Sequence, residues 1–257
     1  MTIAADPDWW KTLFDEVYLL TDARSVCDRE LSRKETDLIA TLAGFKEGHR
    51  LLDLCGGHGR HSIELAGRGL ECTVVDYSGC LLQYGLSLAD GSSQCLHSLR
   101  ADARQTGLCD SSFDHVIIMG NSLGYQAEPN ADLEIIEEAW RVLRPGGTLL
   151  ADVSDGEAVR ERFSPNAWHE IGDDVVVCRQ RELQANRMTA REMVLRKSRG
   201  LVRDRTYSIR VYTPADLAEL LEAAGFREVR VHTDFSFHRS DEDLGFMNHR
   251  MLGTGRK

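Results

Sequence analysis

Residues 51–66 read LLDLCGGHGRHSIELA. An apolar run, RLLDL (50–54), carries an acid near its end and meets a glycine-rich turn, CGGHG (55–59). HSIELAGR then continues as a helix. A strand, a glycine turn and a helix in that order make a cradle for a ligand. Glycine lets the backbone turn sharply and lie close to a bound group. The helix N-terminus offers N–H groups and a positive dipole end to a carboxylate or other polar group.

Outward from this unit the chain alternates. ECTVVD (71–76) reads as a second strand and SGCLLQYGLSLA (78–89) as a helix. QCLHSLRAD (94–102) contains a third strand. FDHVIIMG (113–120) is a nearly continuous apolar run, as expected of a strand covered on both faces. ADLEIIEEAWRVL (131–143) reads as a helix stopped by Arg144-Pro145-Gly146-Gly147, and TLLADV (148–153) as the fifth strand. This rhythm predicts an α/β fold with a doubly wound, mostly parallel sheet. Upstream, residues 7–20 read as one helix, with Trp10, Leu13, Phe14, Val17 and Leu20 on one face, and residues 28–43 as another that stops at Gly44.

Residues 154–212 break the rhythm. Three strands (174–183, 188–198 and 202–212) read as antiparallel hairpins inserted after the fifth strand. Thr213-Pro214 then opens a helix. REVRVHTDF and GFMNHRMLGTG form a closing antiparallel pair, which gives a seven-stranded sheet whose last strand is antiparallel. The expected organisation is an N-terminal helical segment (1–44), an α/β core (45–153 and 213–257) and an inserted antiparallel β subdomain (154–212), which the resemblance given below implies to be lid, cofactor-binding core and substrate-side subdomain.

The totals narrow the partners. A formal net charge of -10 over 257 residues repels phosphate backbones, so nucleic acid is not the expected partner. Arginines between 179 and 210 supply only a local basic patch. Seven cysteines without a C-x-x-C pair suit reduced thiols and a cytoplasmic setting. The N-terminus, MTIAADPDWWKTLFDEVYLL, does not read as a signal peptide, and no apolar run reaches membrane-spanning length, so no membrane partner is expected. A homodimer stays open.

Three more positions carry chemistry. Asp76 ends the second strand, where a carboxylate can accept both hydroxyls of a ribose. Asp102 follows the third, where it can take the exocyclic amine of an adenine beside the backbone of Ala103. The fourth strand ends in MGNSLGY (119–125), with small residues and exposed backbone. A dinucleotide site competes for the same glycines, since Gly57-His58-Gly59 supplies a first G-x-G. Ser62 occupies the place of its third glycine, and that reading leaves Asp53 and Asp102 idle.

The ordered set resembles the class I, Rossmann-like S-adenosylmethionine-dependent methyltransferases of the small-molecule type. The resemblance covers residues 45–153 and the chain from 213 onward, and includes the LRPGG stretch (143–147). It implies S-adenosyl-L-methionine as cofactor. Asp53, Cys55, Gly56, Gly57 and Gly59 would hold its methionine part and Asp76 its ribose. Tyr77, beside Ser78, would pack on the adenine, which Asp102 and Ala103 would read. Gly120, Asn121 and Ser122 would lie beneath the reacting centre. Such enzymes use an N-terminal segment as a lid, which brings in Tyr18 and Arg24.

The acceptor side is read from composition. Tyr125, Trp168, Arg205 and Arg210 are candidates for holding a small-molecule acceptor, and His169, Glu170, Tyr207 and His232 for catalysis. The expected reaction is in-line displacement at the sulfonium methyl by an O, N or C nucleophile, without a metal. Cofactor cyclisation or cleavage, and a non-catalytic binding module, stay open beside it.

Overall fold

The computed structural model describes residues 3–22, 27–89, 96–235 and 249–257. The run that opens the site becomes β1 (Arg50–Leu54), paired in parallel with β2 (Glu71–Asp76) on one side and β4 (Phe113–Ile118) on the other. β3 (Leu96–Arg100) extends the sheet beyond β2, and β5 (Leu143–Ser154) beyond β4. β11 (Arg250–Arg256) pairs antiparallel with both β5 and β10 (Arg227–Phe235), so the order is β3-β2-β1-β4-β5-β11-β10. Chain order reverses between β1 and β4. A crevice opens at such a switch point, outside the carboxyl ends of the strands.

Alternate residues of the inner strands feed two cores. Leu52, Leu54, Val116 and Ile118 pack with Ile135 and Ile136 of α6 (Ala131–Val142) and Leu217 and Leu221 of α8 (Pro214–Ala223). Leu51, Ile117 and Leu150 pack with Ile39 of α3 (Arg29–Ala43) and Leu65 of α4 (Arg60–Ala66). That double cover is why β4 has no polar alternation. α5 (Gly79–Leu88) follows β2. No helix among the described residues is long and apolar enough to cross a membrane.

The N-terminal segment is two helices where one was expected: α1 (Trp10–Leu13) and α2 (Glu16–Thr21). Asp15 makes the break. Its carboxylate accepts from the N–H groups of Val17 and Tyr18, which caps α2. β5 begins at Leu143, five residues before the expected start, because Leu143 already pairs with Phe113.

The segment after β5 holds four strands, not three. A short helix, α7 (Gly156–Glu161), leads into a meander of β6 (Asn166–Ile171), β7 (Val175–Gln184), β8 (Arg187–Arg196) and β9 (Gly200–Arg210). β6 is an edge strand with no buried residue, so its sequence lacks an apolar signature. Met188, Ala190, Tyr207 and Ile209 of the other strands pack against Trp9, Trp10 and Leu13. The inserted sheet and the N-terminal helices thus share one apolar cluster.

Candidate active site

The turn after β1 is built from left-handed backbone. Cys55, Gly57 and Gly59 have φ of 59°, 58° and 70°. Gly56 is required for a different reason, because a Cβ there would stand 2.6 Å from Asp53 Cγ. Asp53 is fully buried. Ser62 Oγ donates to its Oδ2 at 2.8 Å, and its Oδ1 has no partner. Burial pushes the Asp53 carboxyl up to about 7.

Arg60 opens α4 and lines the same cavity. It pairs with Glu35 and donates to Ser32 Oγ at 3.1 Å through Nη1, while its buried Nη2 has no hydrogen-bond partner. A buried unsatisfied acceptor and a buried unsatisfied donor on residues that line one cavity suit a ligand with both complements. An α-amino acid group has them: its ammonium suits Asp53 Oδ1 and its carboxylate suits Arg60 Nη2. The methionine end of S-adenosylmethionine fits this chemistry.

The cavity encloses about 1070 Å³, including its open mouth, and continues past Asp76. Gly57 N–H donates to Asp76 Oδ2 at 2.8 Å and Ser78 N–H to Oδ1 at 2.7 Å. These bonds aim both oxygens, each with a further lone pair, as a ribose diol requires. Burial raises the Asp76 pKa. Tyr77 and Trp10 meet edge to face at 4.9 Å and both line the cavity. Asp102 and Ala103 line it as well, and Arg104 grips Asp102 at 3.0 Å and 2.6 Å, which lowers the Asp102 pKa.

The floor lies at the end of β4. Gly120 N–H donates to Asp152 Oδ2 at 3.0 Å, and Asn121, with φ of 63°, accepts from Ser154 N–H at 2.8 Å. Asp152 belongs to a buried chain of charges. Arg250 donates through Nε to Asp152 at 2.7 Å and through Nη1 to Glu35 at 2.6 Å, and Glu35 also holds Arg60 and His61. Burial and Arg60 lower His61 to about 4, so it stays neutral at pH 7. Arg60, Glu35, Asp152 and Arg250 are absent from the sequence reading. Their one signal is charge inside otherwise apolar strands and helix faces.

A second cavity of about 670 Å³, also including open space, shares Phe14, Tyr18, Asp22, Gly120 and Tyr125 with the first. Its walls add Trp9, Asn121, Arg179, Arg181, Glu192 and Tyr207. Trp9 lies 5.1 Å from Tyr125 and 5.7 Å from Tyr207, and Phe14 stacks on Tyr125 at 5.6 Å. Burial raises the phenols of Tyr18, Tyr125 and Tyr207, which remain neutral donors at pH 7.

The other sequence candidates lie elsewhere. Trp168, His169 and Glu170 sit on the edge strand β6 and line neither cavity; Trp168 is 71% exposed and Glu170 pairs with Lys197 at 3.0 Å. His232 is on β10, the outer strand of the main sheet. Arg205 is exposed. Arg210 pairs with Asp132 at 2.5 Å, and Asp132 accepts from Gly124 N–H at 2.7 Å, so Arg210 braces the loop after β4. Arg24 lies outside the described residues. Composition marked these residues as reactive, but strand alternation and sheet position decide which side chains reach the crevice.

Residues 51–147 match the family model of the methyltransferase domain. YqeM of Bacillus subtilis (strain 168), named a methyltransferase, is 31% identical over 198 residues, covering 76% of this chain and 80% of that protein. The CcbJ methyltransferase from Streptomyces caelestis shares the fold with a TM-score of 0.75 at 21% identity, over 96% of this chain and 98% of that one. CalS10, a SAM-bound amino pentose methyltransferase from Micromonospora echinaspora, shares it with a TM-score of 0.62 at 18% identity, over 93% and 96%. Sequence likeness over 76% of this chain, together with the domain match over residues 51–147, makes this chain a member of the class I S-adenosylmethionine-dependent methyltransferases.

Proposed function

We propose that the chain methylates a small-molecule acceptor seated in the second cavity. The observation that carries this reading is the shared wall at Phe14, Tyr18, Asp22, Gly120 and Tyr125, which joins an acceptor-sized space to the cofactor crevice. The amino pentose acted on by CalS10 is an acceptor of this size class. In this reading residues 1–44 act as lid and 154–212 as acceptor-side subdomain on the core formed by 45–153 and 213–257. The net charge of -10 speaks against nucleic acid, and the free cysteines among the described residues accord with a cytoplasmic setting.

Bound in the crevice, S-adenosylmethionine would supply an electrophilic sulfonium methyl: an acceptor lone pair bonds to the methyl carbon in line as the carbon–sulfur bond breaks and S-adenosylhomocysteine leaves, without need of a metal. Asp53 and Arg60 hold its amino acid end, Asp76 its ribose, and Tyr77, Trp10, Asp102 and Ala103 its base. The aromatic lid excludes water. Asp22, at the junction, is placed to take a proton from an acceptor amine or hydroxyl; Tyr18, Tyr125 and Tyr207 orient it as donors. Product formation that requires an added acceptor tests this reading against cofactor cleavage and against a non-catalytic module. Turnover of cofactor alone, or binding with no product across an acceptor panel, overturns it.

Two binding measurements follow. Asp76→Ala should weaken S-adenosylhomocysteine binding by roughly 1–3 kcal/mol in calorimetry, the scale for a charged hydrogen-bond partner. Unchanged affinity removes Asp76 from the ribose. Asp53 predicts a pH dependence. Its folded pKa of about 7 lies above its ordinary value, so the folded chain holds the proton more tightly. Stability from this group is fully present below about pH 4 and is lost as pH rises through about 7. An ammonium ligand needs the ionised form, so cofactor affinity should rise from pH 6 to 8 with proton release. Asp53→Asn should abolish both slopes, and a flat wild-type profile would contradict the assignment.

A further inference from the structure

The second cavity has charged walls as well as aromatic ones. Arg179 and Arg181 are two positions apart on β7, so their side chains leave the same face, and both line the cavity. Glu192 stands opposite Arg179 in register and accepts from its Nε at 2.8 Å, with Nη2 also at 2.8 Å. That contact fixes one edge of the guanidinium. Arg179 Nη2 also lies 3.6 Å from Asp22 Oδ1, and Nη1 donates to no group among the described residues. Glu192 is also approached by Arg203 at 3.5 Å, so its charge is shared between two arginines. Opposite Arg181 stands Ala190, followed by Tyr207 on β9.

Buried guanidinium groups carry a desolvation cost, and a fixed fork of donors matches an oxyanion bidentately. The geometry points to an acceptor that carries an oxyanion, a carboxylate or a phosphate, held by Arg179 Nη1 and Arg181. Its body lies among Trp9, Tyr125 and Tyr207, and its nucleophile faces Asp22 and Gly120 at the junction. This rests on the reading of the second cavity as the acceptor site.

The test titrates benzoate, phenyl phosphate and benzamide into the full chain saturated with S-adenosylhomocysteine. At least one anion should bind roughly 10- to 100-fold more tightly than benzamide, the range for charge-assisted hydrogen bonds. The tighter of the two identifies the oxyanion. Arg181→Gln should erase the preference while cofactor affinity stays unchanged, and Arg181→Lys should retain part of it. Benzamide binding as tightly as both anions overturns the inference and leaves the acceptor site standing. If none of the three binds while S-adenosylhomocysteine does, the acceptor reading falls and the inference with it.

Discussion

Arg250→Met is expected to destabilise the chain by about 3–5 kcal/mol, the scale for stranding buried charges. Arg250 is 2% exposed and lies between two fully buried carboxylates, Asp152 and Glu35. Arg60 alone would then face both negative charges, from the far side of Glu35. For a chain of this size the loss corresponds to a fall of roughly 6–15 °C in Tm. The effect should reach the site, because Asp152 holds the Gly120 N–H and Glu35 holds Arg60. S-adenosylhomocysteine affinity should fall together with stability. Arg250 and Arg60 keep Glu35 well below the usual carboxylate range, so Glu35 contributes stability above its ordinary pKa that is lost as pH falls through the lowered one. In the variant, acid unfolding should begin at higher pH. A Tm within 2 °C of wild type would mean the network contributes little.

This network also marks where the sequence becomes unreadable. Asp53, the 55–59 turn, Asp76 and Asp102 recur at the ends of successive strands, so local periodicity alone places them at one edge of the sheet. Glu35 and Arg250 are 215 residues apart, and only the antiparallel return of β11 beside β5 brings Arg250 to Asp152. No local pattern encodes that meeting. The acceptor side is harder for a related reason. Arg179, Arg181, Arg205 and Arg210 look alike in sequence, yet two face a cavity, one faces solvent and one braces a loop. The half-exposed alternation of β6 hid a strand and made Trp168, His169 and Glu170 look like a reactive cluster. The break between α1 and α2 turns on one carboxylate, Asp15, which also pairs with Arg203 of the inserted sheet.

Gly85→Ala sets two physical effects against each other. Gly85 lies within α5, and in an open helix alanine is favoured over glycine by about 1 kcal/mol. Here the added Cβ would stand 2.3 Å from the His58 carbonyl oxygen and 2.8 Å from its carbon. Those are backbone atoms of the glycine turn, so no side chain can swing aside. Helix and turn must separate, at a cost of roughly 1–3 kcal/mol for overpacking, which exceeds the helix gain. The displaced segment carries Gly57, whose N–H orients Asp76. Cofactor affinity should therefore drop by at least about tenfold, the scale of one charged hydrogen bond. Gly79→Ala provides the contrast in the same helix. Its Cβ would meet only the Arg100 side chain, at 3.5 Å, so stability and binding should stay near wild type. A higher Tm for Gly85→Ala with intact binding would show that helix propensity, not the contact with the turn, governs this position.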